Sequence, residues 1–269
     1  MKPFERRQLI LAFLAEHGRT EVDVLATHFK LTGATIRKDL TALEEDRKVL
    51  RTYGSVVLID EELLEREEKI NKEDKEDKPI AQKTAINIQQ KQRIGQKAAT
   101  LISEGNSVIF DAGSTVLQMI PYLKQFDNLS LMTNSLTIFN AILVLNKPYN
   151  LLISGGTFRE KSASFHGYFA ESAFIGSTFD ILFIGTDGFD LDVGLTTFNE
   201  VYKVSSLMCD AAKKIVVLAD SSKFGRKSPN IVCGLDKIHT IITDEGLSLE
   251  MREQIREKGI ELLVVSKDN

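Results

Sequence analysis

A winged helix-turn-helix followed by a mostly parallel α/β domain is the fold class that three observations predict. Before residue 46, apolar residues recur at helical spacing in successive segments, and two short extended runs follow them. Residues 60–78, "DEELLEREEKINKEDKEDK", are almost all acid and base. Beyond Pro79, short and nearly continuous apolar runs alternate with helical patterns, as a parallel sheet covered on both faces requires.

In the first segment, Leu9, Ile10, Phe13 and Leu14 give residues 4–16 the period of an amphipathic helix that Gly18 ends. A shorter second helix carries Val22, Leu25, Ala26 and Phe29 on its apolar stripe, with Leu31 over the turn. Thr32 stands where a cap is needed for a third helix from Gly33 to about Glu45, because its hydroxyl can take up a first-turn amide. The inward face of that helix is Ile36, Leu40 and Leu43. Val49, Leu50, Tyr53, Val56 and Val57 lie on two extended runs broken at Gly54-Ser55, the pattern of a hairpin. Three helices and a hairpin make residues 1–58 a winged helix-turn-helix.

Residues 59–78 form the second part, a charged linker. After Ile59 its only aliphatic residues are Leu63, Leu64 and Ile70, so it can bury little and reads as an exposed helix or flexible tether. Residues 79–269 form the third part. Its strand candidates are "SVIFDAG", "LSLMTN", "YNLLISGG", "DILFIGTDG", "KIVVLAD", "HTIIT" and "IELLVV". Helices are expected near 88–103, 115–124, 135–145, 167–175, 199–212 and 248–258, and no short internal repeat is visible.

The chain has 269 residues, 43% of them hydrophobic, which leaves room for a large core and a small one. Cys209 and Cys233 form no C-x-x-C pair and have no histidine cluster beside them, so buried thiols in a reducing compartment are expected. "MKPFERRQLILAFLAEHG" breaks its apolar residues with charges, and no later run reaches the ~20 apolar residues of a membrane span. The expectation is a soluble cytoplasmic protein with no membrane partner. The formal net charge is −4, yet residues 1–58 carry 10 Lys+Arg against 8 Asp+Glu. The one positive third is the predicted helix-turn-helix.

A recognition helix enters the major groove by its N-terminal end, with short polar and basic side chains outward. Gly33, Thr35, Arg37, Lys38 and Thr41 are the non-core positions here, beside the cap Thr32. Arg37 can offer a bidentate fork to guanine, and Lys38 is a point charge suited to phosphate. Asp39 tempers the field and is a candidate for orienting a base. Arg51 and Tyr53 belong to the wing, within reach of backbone or minor groove. A protein-docking module with ordinary surface charges is the competing reading of the same pattern. "TIRKDLTALEEDRKVLRTYGSVVL" resembles the signature of DeoR-type bacterial repressors, through Thr35–Leu40, Leu43-Glu44 and Leu50–Gly54. Ser55 stands where that signature has a second wing glycine, and Arg47 where a glycine often ends the helix.

In the sheet domain, "FDAGSTVLQM" puts Asp111 at a strand end and Gly113, Ser114 and Thr115 at the opening of a helix, where free amides and hydroxyls favour an oxyanion. Three other strand ends bring Asn134 and Ser135, then Gly155, Gly156 and Arg159, then Asp220, Ser222 and Lys223. A polyol phosphate needs cations and amides at one end and partners for hydroxyls at the other. Gly155-Gly156 could equally serve only to turn the chain. Of the acids in "GTDGFDLDVG", Asp187 is read as ligand-facing and Asp190 and Asp192 as a solvated turn, since the bidentate glutamate of a calcium loop is missing and no metal is expected. His166 lacks the third member of a catalytic set and reads as a helix-start or pocket-wall residue. His17, His28 and His239 read as structural, and "GRKSP" as a basic loop at the surface or beside the ligand.

Residues 79–258 resemble the DeoR-type sensor domain, which implies a fold similar to ribose-5-phosphate isomerase and a phosphorylated sugar as effector. "DAGSTVLQM", "GGTFREKSASFHG", "GTDGFDLDVGLTTFNEVY" and "LADSSKFGRKSPN" closely resemble the repressors of glucitol (sorbitol) operons in that family, which implies glucitol or glucitol 6-phosphate. The expected function is a repressor of a polyol operon that binds double-stranded operator DNA and is released by effector, with no cofactor. One small head buries too little DNA for specificity, so a homo-oligomer, dimer or tetramer, is expected. The alternative is an isomerase-like sugar-phosphate enzyme with an accessory helical domain, using Asp111 and Lys223 as base and electrophile.

Overall fold

The computed structural model describes residues 3–18, 20–46, 48–52, 55–58, 77–199 and 201–267. The chain forms two compact units, Met1–Asp74 and Lys75–Asn269. The charged stretch up to residue 76 and the wing residues Tyr53 and Gly54 lie outside the described residues, as does the side chain of Arg51.

In the first unit, α1 (Pro3–His17) ends where Gly18 takes φ +67° and donates its amide to Leu14 O at 2.9 Å. Helix α2 (Val22–Phe29) stops at Lys30, which adopts the left-handed region, and α3 (Gly33–Glu45) starts from Thr32. The Thr32 hydroxyl accepts from the Thr35 amide at 3.3 Å, so the cap legible in the sequence forms. Ile10, Leu14, Val22, Leu25, Ile36, Leu40, Leu43, Val49 and Val56 close into one apolar cluster. Leu9 does not join it: it stands 48% exposed, one position off the stripe of Ile10 and Leu14. Strands β2 (Val49–Thr52) and β3 (Ser55–Leu58) pair antiparallel, Val49 opposite Leu58 and Thr52 opposite Ser55. A third strand, β1 (Thr20–Glu21), pairs with β3 and widens the wing sheet. Two residues are too few to show a period, which is why it escaped the sequence.

The second unit is built on seven parallel strands: β4 (Ser107–Phe110), β5 (Ser130–Thr133), β6 (Asn150–Ile153), β9 (Phe179–Ile184), β12 (Ala212–Leu218), β14 (Thr240–Asp244) and β15 (Glu261–Val265). Their order is β15-β14-β12-β9-β4-β5-β6, and every neighbouring pair is parallel. All seven runs singled out in the sequence are these strands. Alternate side chains enter two separate apolar clusters: Ile109, Leu182 and Ile184 on one face, Val108, Phe110, Ile181 and Phe183 on the other. Helices cover both faces, so the strands are apolar through their middles and their polar side chains, such as Ser107, Asp180 and Asp244, fall mainly toward the ends.

The helices near 88–103, 135–145 and 248–258 are α5 (Ile88–Ala99), α7 (Leu136–Val144) and α10 (Leu249–Glu257), with α4 (Ile80–Ala85) ahead of them. The segment expected as one helix over 115–124 is instead a single turn, α6 (Ser114–Leu117), and a 3-10 stretch from Ile120 to Gln125, because Pro121 cannot donate to a continuing ladder. The remaining two are shorter than expected, α8 (Tyr168–Ser172) and α9 (Lys203–Ala211). Two small antiparallel sheets were not foreseen: β7 (Thr157–Arg159) with β8 (Ser164–His166), and β10 (Gly188–Asp190), β11 (Gly194–Thr197) and β13 (Asn230–Cys233). Cys209 and Cys233 are buried free thiols in one cluster. Among the described residues no helix is long and apolar enough to cross a membrane.

One close approach holds α5 against the start of the sheet's cover. A Cβ on Gly95 would lie 2.6 Å from the Gln118 carbonyl carbon and 2.7 Å from the Met119 amide nitrogen, both backbone atoms that cannot swing away. In an open helix, replacing glycine by alanine gains about 1 kcal/mol of propensity. Here overpacking, worth about 1–3 kcal/mol, outweighs that gain. Gly95→Ala is therefore expected to lower the stability of the second unit by up to about 2 kcal/mol; urea unfolding followed through that unit checks it, and a higher midpoint contradicts the packing.

Candidate functional site

The first unit offers an outer face on α3. Ala34, Arg37, Lys38 and Thr41 are exposed and recur at helical spacing, on the side opposite Ile36, Leu40 and Leu43. Thr32 is exposed at the same end, with Gly33 and Thr35 half-buried. The Arg37 guanidinium lies back over Gly33, where a Cβ would meet Nη1 at 3.2 Å. Thr35 is partly committed to the cap, its hydroxyl 2.9 Å from that of Thr32, and Thr41 donates to Arg37 O at 2.9 Å. Ala34 was missed because an alanine carries no polar signal.

Asp39 requires a correction. It is not a field-tempering surface acid or a base-orienting group: it is 1% exposed and clamped by Arg6 and Arg7 of α1. Arg6 donates Nη2 to Asp39 Oδ1 at 3.0 Å, and Arg7 donates Nε to the same oxygen at 3.3 Å. Two arginines thus fasten α1 to α3 and neutralise the acid behind the outer face.

In the second unit the chain order reverses at β4. The connections from β4 through β5 to β6 run one way, and β9, β12, β14 and β15 fill the other side. The crevice beyond strand carboxyl ends at such a switch is where open α/β sheets bind ligands. The loops after β4 and β9 touch there, a Cβ on Gly113 being 3.7 Å from Gly185 Cα.

The residues foreseen for this site fall around that crevice in distinct states. Asp111, past β4, is buried and accepts from the Ser205 hydroxyl of α9 at 3.0 Å. Burial pushes its carboxyl up to about 6, against the pull of Ser205 and the Ala112 amide. Gly113 caps α6 in an extended conformation, and Ser114 and Thr115 are buried in that first turn, whose amides have no partner in a preceding turn. Past β5, Asn134 is buried with Oδ1 unpartnered and only a long 3.5 Å bond from Nδ2 to Phe165 O. Ser135 caps α7, accepting from the Ile138 amide at 3.3 Å.

Past β6, Gly155 and Gly156 take φ +65° and +107°, and a Cβ on Gly156 would lie 2.6 Å from His166 O. Turning the chain is thus a real duty of this pair. His166 is fixed by its Nδ1 at 2.9 Å from Val201 O and its Nε2 at 2.8 Å from the Ser164 hydroxyl. Burial lowers its pKa, so the ring is neutral, donating from Nδ1 and accepting at Nε2. Of the other histidines, His17 stacks on Phe13 and His239 accepts from the Ile215 amide, both structural. The backbone of Arg226 packs under Gly188, which fixes part of the "GRKSP" loop against β10.

Past β9, burial pushes the Asp187 carboxyl up, but Lys83 and Thr197 outweigh it and hold the group below the usual carboxylate range. Lys83 Nζ lies 2.9 Å from Oδ1, while Oδ2 accepts from the Thr197 hydroxyl at 2.8 Å and the Phe198 amide at 3.2 Å. Asp190 caps its own turn through the Asp192 and Val193 amides, as read. Past β12, Asp220 accepts from Asn87 Nδ2 at 3.0 Å and from the Ser222 amide at 3.2 Å, with Lys223 half-buried beside it. Among the described residues no group of three or more His, Cys, Asp or Glu is placed to hold a metal ion.

Three residues at this site were not foreseen. Lys83 bridges Asp187 and Asp77, Asp77 pairs in turn with Arg159, and Lys91 donates to Lys83 O. Lys91 is 3% exposed, and burial, reinforced by Lys223 and Lys83 against Asp220, lowers its pKa to about 8. Its signal was present: Lys91 is in phase with Ile94, Gly95 and Ala98 on the buried side of α5. Asp77 and Lys83 had none: Asp77 continues the charged texture of the preceding stretch, and Lys83 is a lone lysine on a short helix.

The raised Asp111 pKa has a consequence for stability. The folded carboxyl binds its proton more tightly than the unfolded one, so its contribution favours folding below pH about 4 and is lost as pH rises toward 6. Asp111→Asn, which still accepts from Ser205, is expected to remove that loss and stabilise the sensor at pH 7 by about 1–3 kcal/mol. Urea unfolding at pH 4, 5 and 7 checks it; a variant no more stable than the wild type at pH 7 contradicts a charged, poorly compensated Asp111.

A capped, cation-bearing helix above a wing, and in the same chain a parallel sheet with ionised groups gathered at its switch point, define a ligand-responsive DNA-binding regulator. Family models match on both counts: a DeoR-like helix-turn-helix domain over residues 6–62 and a DeoR C terminal sensor domain over residues 86–245. The chain belongs to the DeoR family of transcriptional regulators. A protein of Escherichia coli O157:H7 assigned to the aga operon as a transcriptional repressor is 33% identical over 98% of this chain and 94% of its own length. The regulator GlpR of Haloferax volcanii is 32% identical over 97% of each chain, and GolR of Listeria innocua 28% identical over 97% of this chain and 98% of its own. Among solved structures, ribose 5-phosphate isomerase A of Methanocaldococcus jannaschii is similar at 17% identity and TM-score 0.37, over 50% of this chain and 53% of that one. The relatives that match across both units are transcriptional regulators, so the isomerase-like alternative gives way and the protein is not an enzyme.

Proposed function

We propose that this regulator represses a polyol-utilisation operon, and that glucitol 6-phosphate or glucitol entering the crevice releases it from operator DNA. The carrying observation is the composition of the crevice. Arg159, Lys83, Lys91 and Lys223 supply cations for a phosphate, while Asp187 and the unpartnered Asn134 Oδ1 supply acceptors for hydroxyls. The turn at Gly113, Ser114 and Thr115 adds amides and hydroxyls, Asp111 and Asp220 line the neighbouring strand ends, and Ser135, Gly155 and Gly156 shape the far wall. The glucitol assignment is supported by the resemblance of the segments around Asp111, Gly155, Asp187 and Asp220 to repressors of that operon.

On the DNA side, Arg37 reads guanine from the exposed face of α3, Lys38 and the Thr32 end hold phosphates, and Arg51 and Tyr53 are the contacts assigned to the wing. Two heads in a dimer or tetramer engage a repeated operator, and the charged stretch between the units carries the effector's bias to their spacing.

Arg37→Ala is expected to weaken specific operator binding by about 1–3 kcal/mol with effector binding intact. Fluorescence anisotropy against operator and scrambled duplexes measures it, and unchanged specificity removes α3 from the reading role. For the effector, glucitol and glucitol 6-phosphate are titrated separately into the protein–operator complex, with Lys223→Ala beside the wild type. The phosphorylated polyol is expected to dissociate the wild-type complex and to lose most of its effect on Lys223→Ala. Dissociation by neither compound sinks the glucitol assignment.

A further inference from the structure

Asp77 is the described residue nearest the charged stretch, and its carboxylate reaches into the sensor with both oxygens engaged. Oδ1 is 2.9 Å from Lys83 Nζ on α4, and Oδ2 is 2.7 Å from Arg159 Nη2 on β7. The side chain is 11% exposed, so this is not a loose surface pair. We infer that Asp77 is an internal competitor of the effector: its carboxylate closes the Arg159–Lys83 pair of cations, and an incoming phosphate monoester displaces it from them. This rests on the reading of the crevice as the effector site.

Three features favour exchange over a permanent structural bond. Asp187, the other carboxylate on Lys83, is tied to its own sheet through Thr197 and Phe198, whereas the bonds described for the Asp77 side chain run to these two cations. Arg159 Nη1 is buried with no hydrogen-bond partner. As placed, neither Asp77 oxygen reaches that donor, and a phosphate has a third oxygen to offer it. Finally, Lys91 and Lys223 bring further positive charge to the cluster, which suits a dianion better than a monoanion.

The exchange has a regulatory outcome. Asp77 stands two residues before Pro79, which opens α4, so losing its two ion pairs unfastens the chain at the point where it enters the sensor. Effector affinity is correspondingly reduced by the fraction of molecules in which Asp77 holds the site.

The test uses the full chain and two probes, inorganic phosphate and glucitol 6-phosphate, with neutral glucitol as control, measured by titration calorimetry. Asp77→Asn removes the charge and retains the shape. It is expected to bind both phosphate probes more tightly than the wild type, on the order of tenfold for every 1.4 kcal/mol by which Asp77 holds the site closed. Its affinity for glucitol is expected to stay the same, and its operator complex to dissociate at correspondingly lower glucitol 6-phosphate. Asp77→Glu retains the charge and is expected to remain near wild-type affinity. Equal or weaker phosphate binding by Asp77→Asn, or equal tightening in Asp77→Glu, overturns the inference while leaving the crevice as the effector site. If neither wild type nor Asp77→Asn binds a phosphate probe, the crevice reading falls and the inference falls with it.

Discussion

A parallel sheet covered on both faces keeps the middles of its strands apolar, and the rest of the sensor follows from that constraint. Ile109 and Leu182 face one apolar cluster, and Phe110 and Phe183 the other, so these two strands are apolar through their middles and the buried acids Asp111 and Asp187 come only past their carboxyl ends. Asp111, Asn134, Asp187 and Asp220 all occupy such positions. They remain largely buried there, which makes pairing compulsory for those that stay charged. Asp187 meets that demand through Lys83, Thr197 and the Phe198 amide, and Asp220 through Asn87 and Ser222. Asp111 has only a hydroxyl and an amide, and its raised pKa records the difference.

The same logic operates with opposite sign in the small unit. Asp39 sits in the middle of the helix that presents Arg37 and Lys38, where an exposed carboxylate would repel a phosphate backbone. Its burial against Arg6 and Arg7 consumes two cations, but it fastens α1 to α3 and leaves the outer face without that negative charge. A chain of net charge −4 can therefore present a local cationic surface, because what approaches DNA is the arrangement of charge and not its sum. Capping by Thr32 serves the same end, holding the first turn of α3 rigid where it bears the exposed residues.

Ionic pairing also joins sequence-distant parts of the sensor. Asp77, Lys83, Asp187 and Arg159 come from the entry segment, α4, the loop past β9 and β7, and their ion pairs form one connected chain. In such a network the position of each side chain depends on its neighbours. The loops past the strand ends and the entry segment at Asp77 are thereby joined electrostatically.

Local pattern was enough to establish both architectures. Period-3.6 stripes placed three helices of the head, apolar runs placed all seven strands of the sheet, and turn chemistry brought Asp111, Asn134, Asp187 and Asp220 to strand ends, because each of these signals acts within a few residues. Charge texture by itself misled at Asp39 and hid Asp77, and Lys83 gave no signal, since a lone acidic or basic side chain does not reveal whether it faces water or a partner. Lys91 was legible only as a lysine in phase with an apolar stripe. Which carboxylate meets which cation, as in Arg6 with Asp39 or Arg159 with Asp77, was decided by the tertiary structure alone. Those pairs span 33 and 82 residues, and ionic partners so far apart in the chain meet only after hydrophobic packing has set the elements that carry them.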